Sequence, residues 1–230
     1  LYPLGNWQGH VVIWLSPDGK SGIFKKGAEP KDDVRKLLES GIAVMGLDLY
    51  GQGDFLNAES LAKSKGANPG LIYSKNQNTK LPADSWQRSP VYYYGYNHST
   101  FARRVHDVLT AVAFARHSEN YDVKKISLRA PKGAGHWAAA ARAVVGGEVI
   151  QKAWIDTSGF SFANLKNHWD ANFLPGAVKY GDIAGLLTLN APFDTALIDK
   201  EGRTESLKKL AAKTGGKISR GKDIAAYFLR

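Results

Sequence analysis

Short apolar runs and longer amphipathic segments alternate along the chain, and turn-forming residues follow each apolar run. Such runs are typical of buried strands when Gly, Pro, Asp or Ser ends them. The first run, "HVVIWL", leads into the turn "SPDG", and the second, "IAVMGLDLY", leads into "GQGD". The same pattern predicts strands in "KKISLRA", in "IQKAWIDTSGF" and around Leu186–Asn190, with "KISRG" as a short edge strand.

Helices are predicted between these strands, from capping residues and from apolar positions at helical spacing. Pro30 and Asp32 favour a helix start in "EPKDDVRKLLESG", and Gly41 favours its end. Ser99 or Thr100 can cap a long helix in "STFARRVHDVLTAVAFARHSE". Three further helices are expected in "HWAAAARAVVGG", "TESLKKLAAKTGG" and "DIAAYFLR".

This alternation of strands and helices predicts an α/β fold. We expect a doubly wound, mostly parallel sheet of at least five strands with helices on both faces. Ligands of such sheets bind at the carboxyl ends of the strands. The candidate loops therefore follow the strands, at Ser16–Gly19, Tyr50–Asp54, Pro131–Gly135, Asp156–Gly159 and Asn190–Asp194.

Residues 55–100 interrupt the alternation with a long segment rich in Asn, Ser, Lys, Gly and Pro. Long segments of this kind often form lids, and the aromatic stretch "VYYYGY" favours an ordered one. We expect it to cover part of the cleft at the carboxyl end of the sheet. Its tyrosines, Tyr92, Tyr93, Tyr94 and Tyr96, can stack on sugar rings or anchor the segment, partly buried, to the domain.

The 230 residues suit one domain that spans residues 1–230. The chain has no cysteine, which excludes disulfides and cysteine-ligated metals, and it lacks the paired-histidine spacings of zinc sites. The glycines of "GLDLYGQGD" form neither a phosphate-binding loop nor a dinucleotide-binding turn, so no cofactor is expected. Because the sequence begins at Leu1, we expect it to be a segment of a longer precursor.

The chain carries a formal net charge of +10, and a basic balance can favour nucleic acids or anionic surfaces. Its densest basic cluster comprises Lys208, Lys209, Lys213, Lys217, Arg220 and Lys222. No nucleic-acid-binding motif accompanies this cluster, so we interpret it as a solvated face and expect no nucleic-acid partner. No apolar run approaches the roughly 18 residues of a membrane helix, so no membrane partner is expected either.

The stretch "APKGAG", residues 130–135, joins a predicted strand to a predicted helix. In α/β-hydrolases, a sharp strand-to-helix turn lined by small residues holds the nucleophile. Ala130 and Ala134 fill the two small flanking positions, which places Lys132 at the nucleophile. From His10 onward the chain resembles the α/β-hydrolase superfamily. The segments "GIAVMGLDLYGQGD", "YNHSTFARRVHDVLTAVAFAR" and "LPGAVKYGDIAGLLTLNAP" resemble its acetyl-xylan-esterase-like branch among the carbohydrate esterases.

The resemblance implies a catalytic triad in the order nucleophile, acid, histidine, and the sequence departs from it twice. Lys132 stands where a serine is expected. The acid, just beyond the strand expected near Leu186–Asn190, is Asp194 or alternatively Asp156. The histidine belongs after the last strand, where the sequence reads "ISRGKD", and the last histidine of the chain is His168. The predicted triad is therefore degenerate.

Lys132 has two interpretations. A lysine amine is nucleophilic only when deprotonated, and burial or a helix N-terminus favours that state, so lysine-dependent chemistry stays open. The simpler interpretation is a long side chain that pairs with Asp156 or Asp194 or extends into solvent.

Serines near the strand ends offer a displaced nucleophile. They are Ser16, Ser127 and Ser158, and Ser158 in "DTSGF" is the one that follows a predicted strand and precedes a glycine. His136, just past the elbow, has no serine to activate, so a structural role is favoured for it.

An oxyanion hole is a further possibility at the same loops. The backbone N–H groups of Asp18 or Gly19, together with that of Gly133, are placed to supply its donors. A Pro-Asp-Gly turn forms without any functional demand, and we favour that interpretation for "SPDG".

Two functions follow. The first is a degenerate, non-catalytic domain with a structural, accessory or glycan-binding role, partnered by a polysaccharide or by a catalytic domain of the same precursor. The second is an active carboxylic-ester hydrolase that acts on acetylated polysaccharide through a displaced or lysine-dependent site. The resemblance also implies a secreted or periplasmic location.

Overall fold

Parallel strands form one sheet in the computed structural model, which describes residues 1–55, 94–168, 170–221 and 223–230. Within these residues the sheet has six strands in the order β2-β1-β3-β4-β5-β6. This confirms the predicted doubly wound parallel sheet. The strands are β1 (His10–Trp14), β2 (Ile42–Gly46), β3 (Lys125–Ala130), β4 (Lys152–Asp156), β5 (Asp194–Ile198) and β6 (Ile218–Arg220).

Helices cover both faces of the sheet, also as predicted. They are α1 (Asp32–Glu39), α2 (Thr100–Arg116), α3 (Gly135–Val145), α4 (Asp182–Asn190), α5 (Glu201–Thr214) and α6 (Ile224–Leu229). Successive residues of β1 point to opposite faces, so Ile13 belongs to the core that includes residues of α2, α3, α4 and α5, whereas Trp14 belongs to the core that includes residues of α1 and α6.

Helix α2 begins where its sequence predicts. The Ser99 hydroxyl accepts a hydrogen bond from the backbone N–H of Ala102 at 3.2 Å, which satisfies one of the free N–H groups of the first turn. The same arrangement, with the Asp223 carboxylate as acceptor and Ala226 as donor at 2.9 Å, begins α6.

The strand predicted around Leu186–Asn190 is wrong, because these residues belong to α4. Ile183 and Leu187, four residues apart, are buried in the core, whereas Leu189 is exposed, and this is the spacing of a helix face. A short apolar run does not distinguish a helix from a strand. The strand comes later, in β5.

The chain reverses direction across the sheet between β1 and β3. From β1 it passes through α1 to β2 at the edge, and then returns to β3 on the other side of β1. Helix α1 covers one face and α3 the other. The loops after β1 and β3 therefore border a crevice at the carboxyl end of the sheet, the place where α/β sheets bind ligands.

Most of the predicted lid, including Tyr92 and Tyr93, lies outside the described residues. Tyr94 is half-buried and donates a hydrogen bond from its hydroxyl to the carbonyl of His168 at 2.9 Å. Tyr96 is 86% exposed, so the partial burial expected for it is wrong. In the described part of the chain, no helix has the length and apolar character needed to cross a bilayer.

Candidate functional site

The turn between β3 and α3 has the shape of a nucleophile elbow. Residues 132–134 form the turn, and α3 begins at Gly135. A Cβ atom at Gly135 would overlap the carbonyl oxygen of Asp156, so α3 approaches the end of β4 as closely as a glycine permits. The predicted strand–turn–helix at residues 130–135 is confirmed.

The left-handed residue of this turn is Gly133, with φ of 86°, and Lys132 does not share that conformation. In hydrolases the strained position of the elbow is the one that exposes the nucleophile. A Cβ atom at Gly133 would lie 2.7 Å from Cγ of Pro17, which is closer than carbon atoms approach. Pro17 therefore fills the space that a side chain at position 133 would need.

Lys132 is exposed at the tip of the turn. Within the described residues it forms no ion pair with Asp156 or Asp194. The structure thus corresponds to the solvent-extended alternative rather than to the paired one.

Two of the N–H groups expected to form an oxyanion hole donate within their own turn. The N–H of Asp18 donates to the hydroxyl oxygen of Ser16 at 3.1 Å, and that of Gly19 donates to the Ser16 carbonyl at 3.2 Å. After the elbow, the N–H of Ala134 donates to the carbonyl of Pro131 at 2.9 Å. These hydrogen bonds leave only Gly133 of the expected donors without a bond inside its own turn.

The structure does not place Asp194 beside the elbow. Because Asp194 is the first residue of β5 and not a residue beyond a strand, it lies at the amino end of the sheet, where it accepts a hydrogen bond from Tyr227 at 3.1 Å. Asp156, the last residue of β4, does lie at the carboxyl end. One of its carboxylate oxygens accepts from both the N–H and the hydroxyl of Ser158, at 2.8 and 2.7 Å.

A third carboxylate, missed in the sequence, directly follows β5. The side chain of Asp199 is fully buried and pairs with Arg203, four residues later on α5, at 3.0 Å. The Asp–Arg spacing of four residues in "DKEGR" is the signal that points to this pair. A strand around Leu186–Asn190, as predicted, ends too early for Asp199 to follow it directly. Asp199 now stands where the family resemblance puts the triad acid.

No histidine lies after β6, where the sequence continues with Gly221, Lys222 and Asp223. His136 is instead packed in the core between Phe101 and Phe160, with both rings stacked on it. Its Nε2 is 2.8 Å from the Asn172 side-chain oxygen, and burial lowers the pKa of His136 to about 4. These contacts agree with a structural role.

One serine–histidine pair does occur in the described residues. It lies towards the amino end of the sheet, whereas the elbow lies at the carboxyl end. His10 Nε2 and the Ser127 hydroxyl are 2.9 Å apart on the adjacent strands β1 and β3. Both side chains are buried, at 4% and 0% exposure, so a substrate has no route to them. The pair belongs to the packing beneath α6, where His10 contacts the ring of Phe228.

Ser158 is an exposed serine at the carboxyl end of the sheet. Its φ of 46° is unusual for a residue other than glycine, and its hydroxyl donates to Asp156. No group of three or more His, Asp or Glu side chains in the described residues could hold a metal ion.

Comparison with known proteins relates the chain to carbohydrate esterases through its fold. No protein-family model matches the chain, and no curated protein sequence does either. Among solved structures, a promiscuous CE15 esterase from a marine bacterial metagenome is similar with a TM-score of 0.57 and 12% identity, over 99% of this chain and 72% of that one.

Two further solved structures are similar to the chain. The glucuronoyl esterase from Solibacter usitatus has a TM-score of 0.55 at 15% identity, over 96% of this chain and 72% of its own. Est1E from Butyrivibrio proteoclasticus has a TM-score of 0.51 at 11% identity, over 99% of this chain and 86% of its own. At these identities the similarity establishes the fold alone, which the chain shares with these esterases.

Proposed function

We propose that the chain is a degenerate α/β-hydrolase-type domain that does not hydrolyse esters and has a structural, accessory or glycan-binding role. The conformation of Gly133 is the observation that carries this proposal. In the spacing G-x-S-x-G, the stretch "PKGAG" has Gly133 in the third place and Gly135 in the fifth. We therefore assign the nucleophile's place to Gly133 rather than to Lys132. A glycine offers no nucleophile.

The surrounding groups support the same proposal. The carboxylate at the acid's place, Asp199, is paired with Arg203, and the sequence after β6 supplies no histidine. Pro17 occupies the volume next to Gly133. Ester hydrolysis needs a nucleophile and a base within hydrogen-bond reach of each other, and the described residues supply neither at this elbow.

Assays with p-nitrophenyl acetate and with acetylated xylan test the non-catalytic part. We expect the purified chain to release product no faster than buffer does, because the described residues at the elbow include neither a nucleophile nor a base. Hydrolysis that copurifies with the chain and scales with its concentration would contradict the proposal.

The second candidate is an active hydrolase with a displaced site, and the strained, carboxylate-bonded Ser158 is the observation that favours it. In that case activity should be present and should disappear in Ser158→Ala. Ser206→Ala, on the exposed face of α5, is the matched control and should keep it. A borohydride-trapped adduct at Lys132 with a carbonyl compound would instead indicate lysine-dependent chemistry.

Glycan binding is supported more indirectly. The solved structures with this fold include one esterase named for glucuronoyl groups. The exposed ring of Tyr96 precedes α2, which begins at the carboxyl end of the sheet. We propose this edge as the glycan-binding surface, with Tyr94 and Tyr96 on it and with Asp18 and Gly19 in the neighbouring loop.

A further inference from the structure

Trp14, Arg129 and Trp154 form a layered group across three adjacent strands. Arg129 on β3 is in register with Trp14 on β1 and with Trp154 on β4, so the three side chains share one face of the sheet. The guanidinium carbon lies 4.1 Å from the ring centroid of Trp14 and 4.9 Å from that of Trp154. The guanidinium is therefore held between two indole planes.

This group has hydrogen-bond donors but no acceptor in the described part of the chain. Arg129 Nε and the indole Nε1 atoms of both tryptophans are buried, and none of the three has a hydrogen-bond partner there. Trp14 is 2% exposed and Trp154 is 5% exposed. Buried donors without acceptors are uncommon in folded proteins, because each loses the hydrogen bond that water would supply.

The charge of Arg129 is not neutralised by an ion pair among the described residues. Burial lowers its pKa to about 10, against the opposing effect of Asp33 and Asp156, so the guanidinium stays protonated at neutral pH. Both carboxylates act on it from beyond contact distance.

Arg129 also lies where this fold binds ligands. It is the penultimate residue of β3, beside β1, at the crevice where the strand order reverses. Its side chain keeps part of its exposure although Nε is buried, so that exposure belongs to its other atoms. The terminal nitrogens of the guanidinium are therefore the atoms that a ligand can reach.

We propose that Arg129 is the binding site for a carboxylate group of a small ligand that enters this crevice. A guanidinium binds a carboxylate that lies in its own plane by donating two parallel hydrogen bonds to the carboxylate oxygens. A planar carboxylate fits between the two indole planes, whereas a tetrahedral phosphate is thicker. The nearby Asp33 and Asp156 also disfavour a doubly charged anion over a singly charged one. This proposal does not depend on the absence of catalysis or on glycan binding.

Titration of the whole chain with sodium acetate, at constant ionic strength set by sodium chloride, tests the site by NMR. We expect saturable shifts of the side-chain Nε–H signal of Arg129 and of the indole N–H signals of Trp14 and Trp154. Inorganic phosphate should shift the same signals with weaker affinity. Chloride alone at equal ionic strength should not shift them.

Arg129→Lys keeps the positive charge but removes the planar guanidinium and its paired N–H donors. The apparent affinity of this variant for acetate should be lower than that of the wild-type chain by about tenfold or more. Arg116→Lys, an exposed arginine at the end of α2, is the matched control and should leave the titration unchanged. Shifts of the wild-type chain that do not saturate, that favour phosphate, or that persist in Arg129→Lys would overturn the proposal. The wild-type titration decides the question even if Arg129→Lys does not fold.

Discussion

At the scale of single residues, a buried neutral histidine stabilises the region beside the elbow. The ring of His136 is stacked between two phenylalanines and bonded to Asn172, and Asn172 also accepts from the indole of Trp137 at 3.2 Å. Burial lowers the pKa of His136 to about 4 in the folded chain. In the unfolded chain the same imidazole becomes protonated near the ordinary histidine pKa of about 6.5. Stability is therefore lost as the pH falls from about 6.5 towards about 4.

His136→Phe tests this assignment, because phenylalanine keeps the stacking and cannot take up a proton. Wild-type stability should fall by about 2 kcal/mol more than that of the variant between pH 7 and pH 4.5. Urea unfolding at both pH values measures the difference. His106→Gln, an exposed histidine on α2, should retain the wild-type pH dependence, and a variant His136→Phe with that same dependence would contradict the assignment.

At the scale of elements, the packing of α3 against the end of β4 depends on Gly135. Gly135→Ala should cost more than about 2 kcal/mol of unfolding free energy, because its Cβ atom would overlap the backbone of Asp156. Gly202→Ala on α5 is the matched control, since a Cβ atom there meets nothing within 4 Å. It should instead add up to about 1 kcal/mol through helix propensity. Equal effects in the two urea titrations would show that the close approach does not matter.

Elements with clear boundaries could be predicted from the sequence, and residues whose positions depend on other elements could not. The strand "KKISLRA", its turn and its helix are local features. The apolar pattern predicts a strand around Leu186–Asn190, where the structure has α4. That prediction puts Asp194 beyond a strand end and leaves out Asp199, which follows β5.

Two features of the site could not be predicted from the sequence, because they depend on the three-dimensional arrangement of the chain. The small residues of "APKGAG" predict Lys132 at the nucleophile position, and only the backbone angles show that Gly133 is the left-handed residue of the turn. Similarly, the position of Arg129 between two indoles depends on the register of three strands that are distant in the sequence.

At the scale of the whole molecule, a net charge of +10 offers a competing explanation for any polysaccharide binding. Association of a polysaccharide with a basic surface weakens as the salt concentration rises, because salt screens the charges. The screening length is about 10 Å at 0.1 M ionic strength. Stacking of sugar rings on tyrosine depends on apolar contact and is much less sensitive to salt. The two explanations also place the contact differently, since the stacking surface lies at the carboxyl edge of the sheet.

We expect retention of the chain on acetylated xylan in affinity electrophoresis to change little when salt is raised from about 0.1 to 0.5 M. Tyr96→Ala should reduce this retention several-fold, because it removes an exposed ring at the proposed surface. Tyr121→Ala removes an exposed ring that lies before β3, at the amino end of the sheet, and should leave retention unchanged. Retention that is lost with salt, or that is equal in the two variants, would assign binding to the charge of the chain and not to the carboxyl edge.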